Sequence, residues 1–333
     1  MERVSVVILN WNGRHHLERF LPSVVEHTMS EAAIVVADNG STDDSLAWLK
    51  ENHPAVQTIT LDSNYGFAEG YNRALKYINT EYVVLLNSDV EVTQGWLEPL
   101  VEILDNQRNV AVVAPKLRSA MEPARFEYAG AAGGFIDYLG YPFCRGRILS
   151  TVEVDSGQYD TSRDIFWASG AAMCCRTEVF KSVGGFDADF FAHMEEIDLQ
   201  WRMQLEGWRI VIEPRSVVYH LGGGTLPESP RKLYLNHRNN LAMLYKCSTP
   251  CQRMVVAVVR PLTDMVEALV NIVMLRPRRA WAVVRAWGSF IAMHGELSRK
   301  RRAIKDHRSL NTIYHFSVIV RYIFGHRHFN NMM

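Results

Sequence analysis

The 333-residue chain is 48% hydrophobic, enough to bury a large core as one big domain with an appendage or as two domains. Its 36 Lys/Arg balance 36 Asp/Glu, but residues 251–333 hold 14 Lys/Arg and 4 Asp/Glu, a balance of +10 that leaves −10 on residues 1–250. Acidic body and basic tail together exclude a uniformly basic nucleic-acid binder, and no recognition motif for nucleic acid is present.

From the N-terminus, the apolar run Val4 to Leu9 is too short for a signal-peptide core and follows Glu2, so nothing there marks export. VSVVILN (4–10), AAIVVADN (32–39), VQTITL (56–61) and YVVLLN (82–87) are near-continuous apolar runs of the kind buried on both faces of a parallel sheet. RHHLERFLPSVVEH, DSLAWLKEN and FAEGYNRALKYIN lie between them with helical spacing. The alternation predicts an α/β fold with a doubly wound sheet.

Ligands bind at the carboxyl ends of strands in such sheets. Asn10-Trp11-Asn12-Gly13, Asp38-Asn39-Gly40-Ser41, Ser63-Asn64-Tyr65-Gly66-Phe67 and Asn87-Ser88-Asp89 follow the four runs. Each is a normal turn composition; four in succession on one sheet edge predict a lined cleft. No G-x-G-x-x-G follows the first strand and no G-x-x-x-x-G-K-[ST] occurs anywhere, which disfavours a dinucleotide dehydrogenase or a P-loop phosphotransferase. Asp89 is placed to coordinate Mg²⁺ or Mn²⁺, which take oxygen ligands and often only one or two carboxylates beside substrate phosphates. Asp38 can accept an N–H from a nucleobase or cap the helix that follows it.

Trp167-Ala168-Ser169-Gly170-Ala171-Ala172 is a small-residue segment where a sugar could come close. Downstream, Gly184-Gly185-Phe186-Asp187 leads into a helix that opens with Glu195, Glu196 and Asp198 and that Gly207 closes. Acidic residues favour a helix N-terminus, and Asp198 with Arg202 makes an i,i+4 pair; two adjacent glutamates can also supply a general base. Val217 to His220 reads as a short strand ending in a histidine that can ligate a metal. The Gly222-Gly223-Gly224-Thr225 loop after it suits closure over a phosphate.

Taken together, NWNG, VVADNGSTDDS, NYGFAEGYNRAL, LLNSDVEV, WASGAAMCCR, GGFDADFFAHMEEIDLQWRM and VVYHLGGGT resemble glycosyltransferase family 2, in particular its bacterial rhamnosyltransferase-like branch, over roughly residues 3–245. The resemblance implies a GT-A fold, a nucleotide-diphospho-sugar donor, Mg²⁺ or Mn²⁺, and inversion at the anomeric carbon. It places Asp38 at the base with Asn10, Asn12, Asn39 and Ser41 nearby. Asn64, Gly66, Phe67 and Asn72, with Asn87 and Ser88, shape the donor pocket. Asp89 becomes the last carboxylate of an Asp-x-Asp-like motif, and His220 a metal-side histidine. The family's acidic pair is usually Glu-Asp; here Glu195-Glu196 stands in its place, and Glu196 is the expected base, with Glu195 as alternative and Asp198 beside them. Trp167, Ser169, Gly170 and Ala171 are the expected acceptor side.

This divides the chain into a GT-A catalytic domain, 1–248, with a nucleotide-sugar half (1–115) and an acceptor half (116–248), and a basic amphipathic helical region, 249–333. The most apolar long window, Met254 to Leu275, is interrupted by Arg260, Pro261, Asp264 and Glu267, each charge costing about 2.5–3.5 kcal/mol at a bilayer centre, so no transmembrane helix is read there. Cys144, the vicinal Cys174-Cys175 pair, Cys247 and Cys251 fit neither a disulfide framework nor a zinc site, in keeping with a reducing compartment. Arginines interleaved with apolar residues over 276–308 suit contact with an anionic membrane. The expected setting is cytoplasmic, peripheral on the inner face of the cell membrane, with a lipid-linked or polysaccharide acceptor. A sugar-nucleotide nucleotidylyltransferase and an inactive membrane-bound scaffold are the competing readings.

Overall fold

The computed structural model describes residues 2–222 and 229–332. Its first half runs Val4–Asn10 (β1), Arg14–His27 (α1), Ala32–Asp38 (β2), Ser45–Asn52 (α2), Gln57–Thr60 (β3), Gly66–Ala74 (α3), Tyr82–Asn87 (β4), Val90–Val92 (β5), Glu98–Asn106 (α4) and Val110–Ser119 (β6). Next come Gly134–Asp137 (β7), Pro142–Cys144 (β8), Arg147–Ile148 (β9), Thr151–Val152 (β10), Arg163–Asp164 (β11), Ala172–Arg176 (β12), Thr177–Ser182 (α5), Glu195–Leu205 (α6) and Arg209–His220 (β13). The remainder is Pro230–Cys247 (α7), Pro250–Val273 (α8), Pro277–Ala292 (α9), His294–Ala303 (α10), Ile313–Tyr314 (β14) and Val318–Ile323 (α11).

The main sheet has the order β11-β13-β6-β12-β4-β1-β2-β3, with β5 added on β13. The first four strands pair in parallel. Beyond them β12 runs antiparallel between β4 and β6, and β13 is parallel to β6. The runs on β1 and β4 are almost wholly apolar because both faces of the sheet are covered, and the one buried polar residue inside them, Ser5, is hydrogen-bonded to Thr80 at 2.9 Å. Val6, Ile8, Val84 and Leu86 pack with α1 and α4 residues such as Leu17, Leu21 and Leu100. Val7, Val83 and Leu85 pack with Tyr71 of α3 and Leu199 of α6. Alternate residues on a strand face opposite ways, so a strand buried twice has no polar positions to spare.

The tail is the expected helical extension over α8, α9 and α10, with one addition. After α10 the chain returns to the catalytic body, where β14 adds in parallel to β7 in a second sheet of order β10-β9-β8-β7-β14. Phe329 lies 5.2 Å from Phe135 and Tyr314 lies 5.7 Å from Phe143 by ring centroids. A two-residue strand and scattered aromatics leave no periodicity to read, so only tertiary pairing reveals them.

Candidate active site

Parallel pairing aligns the strand ends: Asn10 is opposite Asp38, and Leu9 opposite Asn87. The loops that follow are stapled together. Asn10 donates from Nδ2 to Asp38 Oδ1 (3.1 Å) and Ser41 Oγ (3.2 Å), and the Ser41 amide donates to Asp38 Oδ2 (3.0 Å). Asn12 Oδ1 accepts from the Thr42 amide at 2.7 Å. Asn39 donates to Asn64 Oδ1 (3.2 Å) and to the Gly66 carbonyl (2.9 Å), which ties the second loop to the third. Asn87 and Ser88 remain partly exposed on the same edge.

Asp89 turns the chain from β4 into β5, and β5 pairs with the end of β13 so that His220 stands opposite Val90. His220 Nε2 then lies 3.2 Å from Asp89 Oδ1, while Nδ1 lies 3.4 Å from Glu127 Oε1. All three side chains are buried. Burial opposes charge on His220, yet the flanking carboxylates raise its pKa to about 10. Burial likewise disfavours charge on Asp89, but its contact with His220 holds the carboxyl below the usual range. No donor reaches Asp89 Oδ1 in hydrogen-bonding geometry. An oxygen and an imidazole nitrogen about 3 Å apart also match the edge of a coordination shell with bonds of roughly 2.1 Å. A carboxylate behind the second ring nitrogen is the usual support for a metal-bound histidine. Asp89 and His220 therefore fit a divalent cation, with Glu127, which no sequence pattern singled out, as the orienting group.

The acidic pair opens α6. Three non-glycine residues just before it hold positive φ: Phe191 (63°), His193 (72°) and Met194 (70°). Such geometry costs about 1–3 kcal/mol per residue and needs outside support. One side of the support is α3, whose Phe67 and Ala68 amides donate to the Phe191 carbonyl at 2.7 and 3.2 Å. Gly66 has φ +75°, and a Cβ there would meet Phe191 O at 2.7 Å, so this approach needs glycine. The other side is Asn239 of α7, wholly buried, which donates to the carbonyls of Phe190 (3.0 Å), Ala192 (3.0 Å) and His193 (2.7 Å). Glu196 is partly exposed, and its low-dielectric surroundings lift its carboxyl to about 7. Burial first, and then the neighbouring Glu196, push Glu195 well above the ordinary carboxylate range.

One segment joins the acids to the strand ends. The Asn87 amide donates to the Ala171 carbonyl at 2.9 Å. A Cβ built on Gly170 would lie 3.1 Å from the Phe67 ring and 3.9 Å from Glu196 Cβ. Gln200 of α6 accepts from the Ala168 amide (2.6 Å) and donates to the carbonyls of Ala168 (2.8 Å) and Glu196 (3.0 Å), which fixes the segment against the helix.

Residues 5–165 match the sequence profile of Glycosyl transferase family 2. The chain has a glycosyl transferase family 2 domain. It is 27% identical over 257 residues to the N-acetylglucosaminyl-diphospho-decaprenol L-rhamnosyltransferase of Mycobacterium tuberculosis, covering 72% of this chain and 83% of that one. Similarity at 25% over 224 residues extends to the poly-beta-1,6-N-acetyl-D-glucosamine synthase of Staphylococcus epidermidis, covering 66% of this chain and half of that protein. Among solved structures, GalNAc-T7 with UDP, GalNAc and Mn²⁺ superposes with a TM-score of 0.61 at 17% identity, over 78% of this chain and 51% of that chain. The mannosyltransferase PcManGT of Pyrobaculum calidifontis, in complex with GDP-Man and Mn²⁺, gives 0.53 at 16% identity over 90% and 82%. These structural likenesses establish the GT-A fold.

Several residues expected at the ligand stand elsewhere. Asp198 is fully buried between Arg202 (2.9 Å) and Lys246 (2.8 Å), so it holds α6 to α7 and does not reach the cleft. Trp167 is buried with its indole N–H donating to the Phe135 carbonyl (3.0 Å) and its ring against Gly134, which makes it core. Ser169 is buried and its hydroxyl accepts from the Ala171 amide at 3.2 Å. Asn72 holds Phe186 through both backbone groups at 2.9 Å. Asp38 is 1% exposed with both oxygens engaged, so it builds the loops that frame the cleft. His220 ends a twelve-residue strand, longer than the short one expected. Gly223, Gly224 and Thr225 lie outside the described residues.

Asn239 and Gln200 escaped the sequence reading, although two consecutive asparagines inside a helix are a signal, since asparagine is a poor helix interior residue. Asn239→Ala removes the side-chain amide that the carbonyls of Phe190, Ala192 and His193 share, and of these Phe190 keeps the Ala192 amide and Arg238 as donors. The expected result is a kcat lower by about 10–100-fold with little change in donor KM, because small misplacement of a reacting group is costly. Steady-state kinetics beside a thermal melt checks it; a melt shift with unchanged kcat would make Asn239 merely structural.

Proposed function

We propose that this chain moves a sugar from a nucleotide-diphospho-sugar, of UDP or dTDP type, to a hydroxyl of a lipid-linked or polysaccharide acceptor in cell-surface glycan synthesis, at the inner face of the cell membrane. The naming of the mycobacterial relative supports a lipid-linked acceptor and makes rhamnose the first sugar to test. The reading is carried by Glu196, a carboxyl poised at about 7 in the first turn of α6, just after the braced loop. A general base works best with a pKa near the working pH. Glu195, which is buried and whose carboxyl burial pushes well above the ordinary range, is the poorer base.

In the proposed reaction Glu196 takes the proton of the acceptor hydroxyl while that oxygen forms a bond to the anomeric carbon. The bond from this carbon to the diphosphate oxygen breaks on the opposite face, and the electron pair leaves with the nucleoside diphosphate. A single displacement inverts the configuration. Asp89 and His220 would hold a Mg²⁺ or Mn²⁺ ion, which when bound offsets charge on the departing diphosphate. Asn10, Asn12, Asp38, Asn39, Ser41 and Asn64 keep the donor-side loops in place, and Gly170 and Ala171 leave room for the acceptor.

Donor-consumption assays over UDP-, dTDP- and GDP-sugars with and without Mn²⁺ test the proposal; no consumption of any donor in the presence of acceptor lipid would sink it. The rate should rise with pH through a midpoint near 7, because below it Glu196 already carries the proton it must accept. A kcat profile flat from pH 5.5 to 8.5, a window of about 1.5 units on each side of that midpoint, would remove Glu196 from this role.

A further inference from the structure

The long helix α8 is turned inside out. Its buried positions include Gln252, Arg260, Asp264 and Asn271. Arg260 donates to the Leu139 carbonyl (3.0 Å) and pairs with Asp264 (3.3 Å). Asp264 accepts from Trp287 Nε1 of α9 at 3.0 Å, and Glu267 lies 3.2 Å from His237 Nε2 of α7. Gln252 donates to the Tyr138 carbonyl at 2.9 Å. Every charge of this helix except Arg253 at its start is thereby taken up by the protein.

The outward side carries none. Met254, Val258, Leu262, Met265, Leu269 and Val273 are each more than half exposed along six turns, and every exposed position from Cys251 to Val273 is uncharged. The turn into α9 continues the face with Leu275, 88% exposed, and Trp281 on α9 is 66% exposed. Arg276 and Arg278 are exposed at that turn and Arg279 is half-buried; none has an acidic partner among the described residues. A helix facing water buries its apolar side, and a contiguous exposed apolar patch of this extent marks an interaction surface.

The rest of the tail does not compete for this surface. Lys300 pairs with Asp187 (2.5 Å) and Asp189 (2.6 Å), and Arg301 donates to the carbonyls of Tyr245 (2.8 Å) and Ser248 (2.9 Å). Two members of the second basic block, Lys300 and Arg301, are therefore spent on the catalytic body, Arg299 pairs with Glu296 of its own helix, and Arg302 and Lys305 are exposed. No helix among the described residues is long and apolar enough to cross a membrane.

We propose that the α8–α9 hairpin is the membrane-docking element, its outward α8 face lying in the apolar boundary of an anionic bilayer and Arg276, Arg278 and Arg279 at the headgroups. An apolar face with interfacial tryptophan and a fringe of unpaired arginines is the pattern of a helix lying in the interface plane. Charge selects a bilayer over a second copy of the chain, because the face offers no acidic group to receive those arginines. The inference is independent of the sugar-transfer reading, since its readout is binding alone.

The test is sedimentation of the full chain with phosphatidylcholine vesicles, with and without phosphatidylglycerol. Wild type should partition to the anionic vesicles and be released by salt. L262E/L269E should lower partitioning at least about tenfold, and R276Q/R278Q/R279Q roughly 100-fold. Both sets are exposed except for the half-buried Arg279, and circular dichroism melts check that each variant folds. Equal binding to neutral and anionic vesicles, or no binding to either, overturns the proposal. So does a dimer, seen by light scattering, that L262E/L269E dissociates without affecting vesicle binding.

Discussion

Glu196→Gln should retain donor binding and lose about 10²–10⁴-fold in transfer rate, the usual contribution of a positioned general base. Glutamine keeps the shape and part of the hydrogen bonding of the side chain but cannot take a proton. Donor affinity, read by calorimetry or protection against thermal unfolding, should be unchanged because the loops that frame the donor side are tied by Asn10, Asn39 and Ser41, not by α6. Glu195→Gln is the matching control. Burial pushes the Glu195 carboxyl well above the ordinary range, so its neutral replacement should cost far less. If Glu195→Gln were the dead variant and Glu196→Gln active, the roles would be reversed.

Asp89→Ala should abolish cation-dependent transfer, a loss of about 3–4 kcal/mol of transition-state stabilisation or roughly 10²–10³-fold. It leaves His220 beside Glu127 with no oxygen partner in the cleft. Glu127→Gln makes the graded comparison. Removing an orienting carboxylate behind a metal-bound histidine typically costs about 10–100-fold in metal affinity, so raising Mn²⁺ should restore Glu127→Gln but not Asp89→Ala. Rate measured against Mn²⁺ concentration at fixed donor checks both. Full activity of Asp89→Ala in a chelator would remove the cation from the mechanism.

Much of the donor side was legible because it obeys local rules. A strand buried on both faces must be apolar throughout, so β1, β2 and β4 announce themselves, and the polar residues at their ends fall on one edge because parallel strands start and stop in register. The helix that begins at Glu195 was legible from its spacing. Roles within it were not: Glu196 and Asp198 are two residues apart and equally acidic, and only packing turns one to a cleft and the other to Lys246 and Arg202.

The α/β order and the acidic pair could be read directly from the residues, and Asp89 and His220, each at or just after a strand end, could be singled out as metal candidates. The remaining features came from the fold, because each depends on contacts between residues far apart in the chain. Glu127 reaches His220 across 93 positions and Asn239 reaches the 190–193 loop from a later helix. Trp167 looked accessible from its small neighbours, yet is buried over Gly134. In α8, periodicity reveals that polar and apolar sides exist, but not which one faces inward; Asp264, Arg260 and His237 satisfy one another inside, and that leaves the apolar side outward.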